Sequence, residues 1–416
     1  MKFSAMKTKE LRISTPQGVA GDLLKESRYV FNYTATERSR EISLTMPIRA
    51  ESYSSGALLP IFEMNKPEGY LLSKIEEAFA KTGPLDDMSL LALTGGAQIG
   101  RLTYTVPDRS VRPARPPISR KELLTCKPTS ELFDHLVAIY FDSGISGVQP
   151  KVLVPQPDTP SLVTDRAAVV HSDLIVKASG PEFPHLTQNE FLCMSAAKRA
   201  GIPVPDFALS EDGGLFVLSR FDQEEGRSLG FEDMGVLTGR ANRDKYQGSY
   251  ENVAKAIRLY CESGDPLAQL QQFFDYVALL VMVRNGDGHL KNFGLLYDHP
   301  QDLTSIRIAP LYDVVTTSIY DISGGITQIT KYDRTLALKL GKSRSYPNRK
   351  TLLDFGKTIC QVLHPERNIE RCAEAMSETL NAERDRIEPS LLKTLNAAWD
   401  EGRSSIEPDR VFTRAP

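Results

Sequence analysis

The sequence predicts an α+β chain in which a β-rich N-terminal region leads, through a mixed middle region, into a mainly helical C-terminal half. Three observations predict it. Short runs of alternating apolar and polar residues fill residues 10–33, split by Pro16-Gln17-Gly18, as a small antiparallel meander requires. Beyond Phe231 that alternation gives way to apolar residues at helical spacing over residues 250–262, 267–284, 349–363 and 367–384. Inside this half, the apolar run of residues 273–283 breaks abruptly at Arg284-Asn285-Gly286-Asp287-Gly288-His289-Leu290-Lys291-Asn292, and an apolar strand follows over 293–297.

The elements follow in order. Ile42-Ser43-Leu44-Thr45-Met46-Pro47 extends the meander, and helical spacing at Leu71, Leu72, Ile75 and Phe79 and again over 88–93 adds two helices. Gly95-Gly96-Ala97-Gln98-Ile99-Gly100 leaves a helix and enters the strand 101–105, the reverse of a nucleotide-binding glycine loop, so it reads as a turn. Residues 107–120 carry four prolines among their arginines and read as a linker, with a first domain ending at 112. A helix over 119–138 precedes Ser143-Gly144-Ile145-Ser146-Gly147-Val148-Gln149-Pro150-Lys151, whose small residues allow close backbone approach to a phosphate or simply permit a turn. The strand 173–178 holds Lys177, and the helix 187–200 holds Glu190 and stops at Gly201 and Pro203. Strands 207–209 and 215–220 end at Ser219-Arg220-Phe221-Asp222, closing a second segment at 228. Residues 336–340 read as a strand or a surface turn, and the tail from 407 as loosely held.

Composition narrows the function. At 416 residues, with 41% hydrophobic and 25% charged, the chain can bury two or three ordinary globular cores. A net charge of −3 lacks the global basic footprint of a protein that grips DNA or an anionic membrane directly. The five cysteines, Cys126, Cys193, Cys261, Cys360 and Cys372, are widely spaced without a C-x-x-C pair and read as buried, reduced thiols. No apolar leader opens the chain and no run of about eighteen apolar residues occurs, so a cytoplasmic protein without a membrane span is expected.

The chemistry concentrates between residues 284 and 313. Asn-Gly-Asp-Gly alone makes an ordinary turn. His289, Lys291 and Asn292 crowd three further polar side chains beside a strongly apolar helix, which a turn does not require. The step of five from Asp287 to Asn292 is the step between base and metal-binding Asn in the kinase catalytic loop H-R-D-x-x-x-x-N, and Asp313 follows at a strand end where a second metal ligand belongs. In a kinase N-lobe, Lys177 neutralises phosphates and Glu190 orients it, whereas a lysine exposed at a strand end is the plainer alternative.

Together these residues resemble the HipA family of bacterial serine/threonine kinase toxins, over nearly the whole chain. The resemblance is carried by 145–151, Ile175-Val176-Lys177, Asn189-Glu190, Arg220-Phe221-Asp222, 287–293 and Leu311-Tyr312-Asp313. It implies a bilobal protein-kinase-like fold in three segments, 1–112, 113–228 and 229–416. It implies ATP and Mg²⁺ as cosubstrate and metal, with Asp287, His289 and Lys291 catalytic and Asn292 and Asp313 on the metal. For the nucleotide it implies Gly144, Ser146, Gly147, Val148, Gln149, Lys151, Lys177, Glu190, Ser219, Phe221, Asp222, His289, Asn292, Tyr312 and Asp313. A HipB-like DNA-binding antitoxin, DNA reached only through it, and a protein substrate such as an aminoacyl-tRNA synthetase are further implications. Well-known members carry an autophosphorylated serine where this chain has Gly144; Ser146 and Ser143 flank that position. Three functions stay open at this point: a protein kinase toxin, a small-molecule kinase of the aminoglycoside-phosphotransferase type, and a corepressor-like binding module.

Overall fold

The computed structural model describes residues 8–79, 85–96, 98–107, 119–125, 132, 136, 167–171, 173–179, 183–320 and 334–407. The chain divides into two compact units, neither continuous in sequence: residues 1–188, 205–245 and 293–309 form the first, and 189–204, 246–292 and 310–416 the second. The three consecutive segments read from the sequence cut across this division, because strand pairing joins residues 230–233 to 294–297 over a long insertion. Most of the linker 107–120 and all of 142–154 lie outside the described residues.

In the first unit, β1 (Glu10–Thr15), β2 (Gly18–Lys25), β3 (Tyr29–Tyr33), β4 (Tyr53–Ser55) and β5 (Thr103–Thr105) make an antiparallel sheet in the order β4-β3-β2-β1-β5. Alternation decides its faces: Leu11, Ile13, Leu23 and Phe31 are fully buried against Ile61, Phe62, Met88 and Leu91 of the helices α1 (Pro60–Met64) and α3 (Asp87–Thr94), with α2 (Gly69–Phe79) between them in sequence. The meander over 10–33 is as expected, but residues 42–47 form no strand. Their polar groups are satisfied elsewhere: the Ile42 N–H donates to the Tyr33 hydroxyl, and the Leu44 N–H and Ser43 hydroxyl donate to Glu232 at 2.7 Å each. Glu232 is fully buried and also accepts from the Tyr297 hydroxyl at 2.6 Å, and its burial pushes its carboxyl up to about 7.

A short helix α4 (Arg120–Thr125) precedes the second sheet of this unit. It contains β6 (Ala167–His171), β7 (Leu174–Ala178), β8 (Phe207–Leu209) and β9 (Leu215–Ser219) in the antiparallel order β6-β7-β9-β8, so Lys177 stands on a central strand. The hairpin β10 (Gln223–Glu224) and β11 (Arg227–Ser228) leads to a third sheet of β12 (Gly230–Asp233), β13 (Gly294–Tyr297) and β14 (Arg307–Ile308).

The second unit is mainly helical: α5 (Leu186–Arg199, from residue 189 onward), α6 (Tyr250–Tyr260), α7 (Pro266–Met282), α8 (Arg349–Asp354), α9 (Pro365–Ala382) and α10 (Pro389–Ser404). The chain after α5 turns at Gly201, φ 70°, with the Ile202 N–H returned to the Ala197 carbonyl, as the sequence signals require. Residues 336–340 are a strand, β15 (Thr335–Leu340), paired with β16 (Ser343–Ser345). The expected helix over 349–363 is interrupted: α8 stops at Asp354 and a π-turn Phe355–Ile359 takes over, since Gly356 seats against the Phe274 ring and Pro365, where a Cβ would approach within 2.8 Å of both.

The helix α10 is not among the expected elements, although Pro389 at its first turn and Leu391, Leu395 and Trp399 at four-residue steps mark it. It matters for the site. At Gly402 the helix backbone closes on the end of α7, where a Cβ would lie 1.9 Å from the Met282 carbonyl oxygen. Cys193, Cys261, Cys360 and Cys372 are buried free thiols, and Cys126 lies outside the described residues. No helix among the described residues is long and apolar enough to cross a membrane.

Candidate active site

The helix α7 ends in a Schellman motif without glycine. The Asn285 N–H reaches the Leu280 carbonyl, the Arg284 N–H reaches that of Val281, and Arg284 itself sits in the left-handed region at φ 57°. Such a conformation costs a non-glycine residue about 1 kcal/mol or more and persists where surroundings over-determine it. Here the buried Arg284 guanidinium donates to the Glu401 carbonyl at 3.0 Å and stacks 4.5 Å from the Tyr346 ring centroid. The chain therefore leaves α7 in one direction only.

Each later residue of the loop is then tied down. The Gly286 N–H donates to Thr317 Oγ1 at 2.7 Å, the Asp287 N–H to Asn285 Oδ1 at 2.7 Å, and the Tyr250 hydroxyl to the Gly288 carbonyl at 3.1 Å. The His289 N–H donates both to the Asp287 carbonyl and to Asn292 Oδ1. A 3₁₀ turn Leu290–Asn292 delivers Asn292, whose amide donates to Asp313 Oδ2 at 3.0 Å. Asp287 and Asp313 remain partly exposed while their neighbours Asn285, Gly288, His289 and Asn292 are buried.

Asp287 Oδ1 accepts from the Tyr246 hydroxyl at 2.8 Å and lies 3.9 Å from His289 Nε2; among the described residues its Oδ2 accepts no hydrogen bond. Lys291 is half-buried, and its carbonyl accepts from the Tyr312 hydroxyl at 2.7 Å, which couples the loop to the segment carrying Asp313. Asp313 also lies in the left-handed region, φ 60°, a conformation that aspartate tolerates better than most.

Near the second strained position lies a clamp whose role the sequence does not show, although Asn189 is among the residues that carry the family resemblance. Asn189 accepts from the Thr316 N–H at 2.9 Å and donates to the Thr316 carbonyl at 3.0 Å, while the Trp399 indole N–H reaches Thr316 Oγ1 at 2.8 Å. Asn189 and Thr316 are fully buried. An asparagine on the buried face of an apolar helix is the available signal for such a clamp. Tyr246 and Thr317 carry no comparable local signal.

The donor set suits a hard divalent cation. Asn292 and Asp313 offer an amide and a carboxylate oxygen, and Mg²⁺ characteristically takes one or two such protein ligands beside phosphate and water oxygens. A dedicated protein cage is a different matter: no cluster of three or more His, Cys, Asp or Glu suited to a metal occurs among the described residues.

The remaining expected residues belong elsewhere. Lys177 is 8% exposed on the central strand β7 of the first unit, and Glu190 is 1% exposed on α5 in the second. Ser219 ends β9, and the Phe221 ring meets Phe231 edge-on at 5.3 Å. Asp222 has no exposure: Oδ2 accepts from the Gly100 N–H at 2.6 Å and from Arg220 Nη2 at 2.5 Å, and Oδ1 from Arg220 Nε at 2.9 Å. Its carboxylate is thus committed within the protein, tying the 95–100 turn to the end of β9. Ser143, Gly144, Ser146, Gly147, Val148, Gln149 and Lys151 lie outside the described residues.

Comparison with known proteins follows the same outline. Residues 11–105 match the HipA N-terminal domain and residues 143–384 the HipA-like C-terminal domain. The chain belongs to the HipA family. A Haemophilus influenzae protein named "Putative kinase" is 30% identical over 250 residues, 55% of this chain and 65% of its own length, so the match stops short of two thirds of that relative. "Putative kinase Y4mE" of Sinorhizobium fredii is 26% identical over 306 residues, 68% of this chain and 70% of its own. Among solved structures, a chain of the Shewanella oneidensis MR-1 complex of HipA, HipB and operator DNA superposes with a TM-score of 0.67 at 16% identity, covering 95% of this chain and 96% of that one. That likeness carries the HipA fold.

Proposed function

We propose that this HipA-family chain is an ATP- and Mg²⁺-dependent serine/threonine protein kinase and the toxin of a toxin–antitoxin pair. The observation that carries the reading is Asp287, a half-exposed carboxylate with one oxygen held and the other accepting no hydrogen bond among the described residues, on the loop that also delivers Asn292 to Asp313.

Asp287 accepts the proton of a serine or threonine hydroxyl as that oxygen bonds to the γ-phosphorus of ATP. The bond from γ-phosphorus to its bridging oxygen breaks, ADP leaves with the electron pair, and the proton passes from Asp287 to solvent. Asn292 and Asp313 would hold Mg²⁺, which when bound supplies positive charge against the β- and γ-phosphates. For Lys177, buried on its strand, and for Glu190, buried on α5, the roles of phosphate cation and orienting carboxylate are kept as the family resemblance implies them. His289 and Tyr312 shape the site through the backbone and ring contacts described, and Lys291 is assigned a catalytic role on family resemblance. Ser219 and Phe221 are assigned to the nucleoside, and residues 144–151 to the phosphates, with Ser146 or Ser143 as the autophosphorylation site.

A HipB-like antitoxin, bridging to DNA, is the proposed partner, supported by the presence of HipB in the complex that contains the structural neighbour. An aminoacyl-tRNA synthetase is the proposed substrate and the cytoplasm the proposed location, both on family resemblance. The test is incubation of wild type, Asp287→Asn and Asp313→Asn with γ-labelled ATP, Mg²⁺ and a lysate of the source cell. A labelled substrate band beside the autophosphorylated chain, both absent with either variant, is expected; label confined to small molecules would overturn the protein-kinase reading.

A further inference from the structure

We infer that Tyr246 is a positioning residue for the general base: its hydroxyl holds one oxygen of Asp287 so that the other is presented to the acceptor hydroxyl. The inference rests on reading Asp287 as that base. The backbone of Asp287 is fixed by Asn285 and His289, but a backbone does not choose which carboxylate oxygen faces outward, because the terminal torsion of aspartate is broad and nearly two-fold. A donor on one oxygen does choose. The Tyr246 hydroxyl lies 2.8 Å from Oδ1, within the range of a charge-assisted hydrogen bond, and Oδ2 accepts no hydrogen bond among the described residues. A proton taken by Oδ2 leaves that bond intact, whereas a carboxylate free to rotate would spend part of its time with neither oxygen aligned on the acceptor.

Tyr246 is built to stay in place. Its carbonyl accepts from the Arg344 guanidinium, the Gly248 carbonyl accepts from the Lys339 N–H at 3.2 Å, and Ser249 bridges to Lys339, so the segment is bound to the β15–β16 hairpin. Its ring meets the His289 ring edge-on, centroids 5.1 Å apart at 76°. At 39% exposed, Tyr246 is open to solvent while its hydroxyl holds Asp287.

The test compares full-length wild type, Tyr246→Phe, Tyr246→Leu and Asp287→Asn in Mg²⁺-ATP. The measurements are ATP turnover, phosphate incorporated by intact mass, thermal midpoint, and the ¹³C resonance of the Asp287 carboxyl in ATP-free protein, assigned by its loss in Asp287→Asn. For Tyr246→Phe the expectation is a kcat about 10-fold lower, the worth of one charge-assisted hydrogen bond, with KM for ATP and thermal midpoint unchanged and the carboxyl resonance displaced. Wild-type kcat with Phe and a loss only with Leu would assign the ring rather than the hydroxyl, and would overturn the inference. So would a faster Tyr246→Phe, an effect on KM alone, or an unmoved resonance. Turnover at the wild-type rate in Asp287→Asn, or none in the wild type, would defeat the reading of the base itself, an outcome the tyrosine variants cannot mimic.

Discussion

Asp222 and Asp287 carry the same side chain at the exits of two apolar elements, one in each unit, and their surroundings are opposite. Asp222 has no exposure, and both oxygens are taken up by the Arg220 guanidinium and the Gly100 amide. Asp287 is 36% exposed at its side chain, with one oxygen on Tyr246 and no hydrogen bond recorded on the other among the described residues. A buried carboxylate that stays ionised needs donors and a cation on its oxygens, because desolvation otherwise exceeds any gain, and oxygens so engaged have little left to offer a ligand. A half-exposed carboxylate need not be saturated, and can exchange protons with substrate and solvent. The pair therefore separates a carboxylate that holds structure from one suited to chemistry.

The comparison breaks most sharply by substitution at Asp287. Asp287→Asn is expected to lower phosphoryl transfer by about 10²- to 10⁴-fold while changing stability by no more than about 0.5 kcal/mol. Nucleotide affinity should be spared, in contrast to Asp313→Asn, which removes a proposed metal ligand and weakens Mg²⁺-ATP. Calorimetry and chemical denaturation check both halves, and equal loss of ATP affinity in the two variants would contradict the division of roles.

Asp222→Ala is the mirror image. It leaves the buried Arg220 guanidinium without its carboxylate, and a cost of about 3–5 kcal/mol is expected on urea unfolding. A change under about 1 kcal/mol would mean that Arg220 reaches solvent when its partner is gone, and that Asp222 is not the structural member of the pair.

Glu232 sharpens the point through pH. Burial holds its carboxyl at about 7 in the folded protein against 4.5 as its ordinary value, so the folded form binds more protons between those limits. Stability should therefore fall as pH rises through that window, on the order of 2–3 kcal/mol from this residue. Denaturation midpoints at pH 5 and pH 8 should converge in Glu232→Gln; a persistent slope would place the titration elsewhere.

The smallest effect is expected at Asn189. Asn189→Ala strips the buried Thr316 N–H and carbonyl of their partner, for about 1–3 kcal/mol. Looser seating of Asp313 should also raise the Mg²⁺ concentration needed for half-maximal activity. Unchanged metal dependence would show that Tyr312 and Trp399 hold the segment without the clamp.

By itself the sequence determined the α+β class, most element positions and the loop from Arg284 to Asn292. Those features are local: a period of two or of 3.6, a cap, a glycine, or a step of five within one turn is written in neighbouring residues. The HipA resemblance was legible for the same reason, since its motifs are short contiguous strings. Residues 42–47 alternate like a strand, yet their donors go to Tyr33 and, 188 residues further on, to Glu232, a partner that no local pattern announces. The interruption after Asp354 depends on what Gly356 meets, namely Phe274. Only tertiary structure could decide that Asp222 is buried and Asp287 is not, that Tyr246 reaches Asp287 across 41 residues, and that Asn189 clamps Thr316 across 127. Burial and hydrogen-bond saturation are sums over groups brought together by the whole chain, and they set what a carboxylate can do.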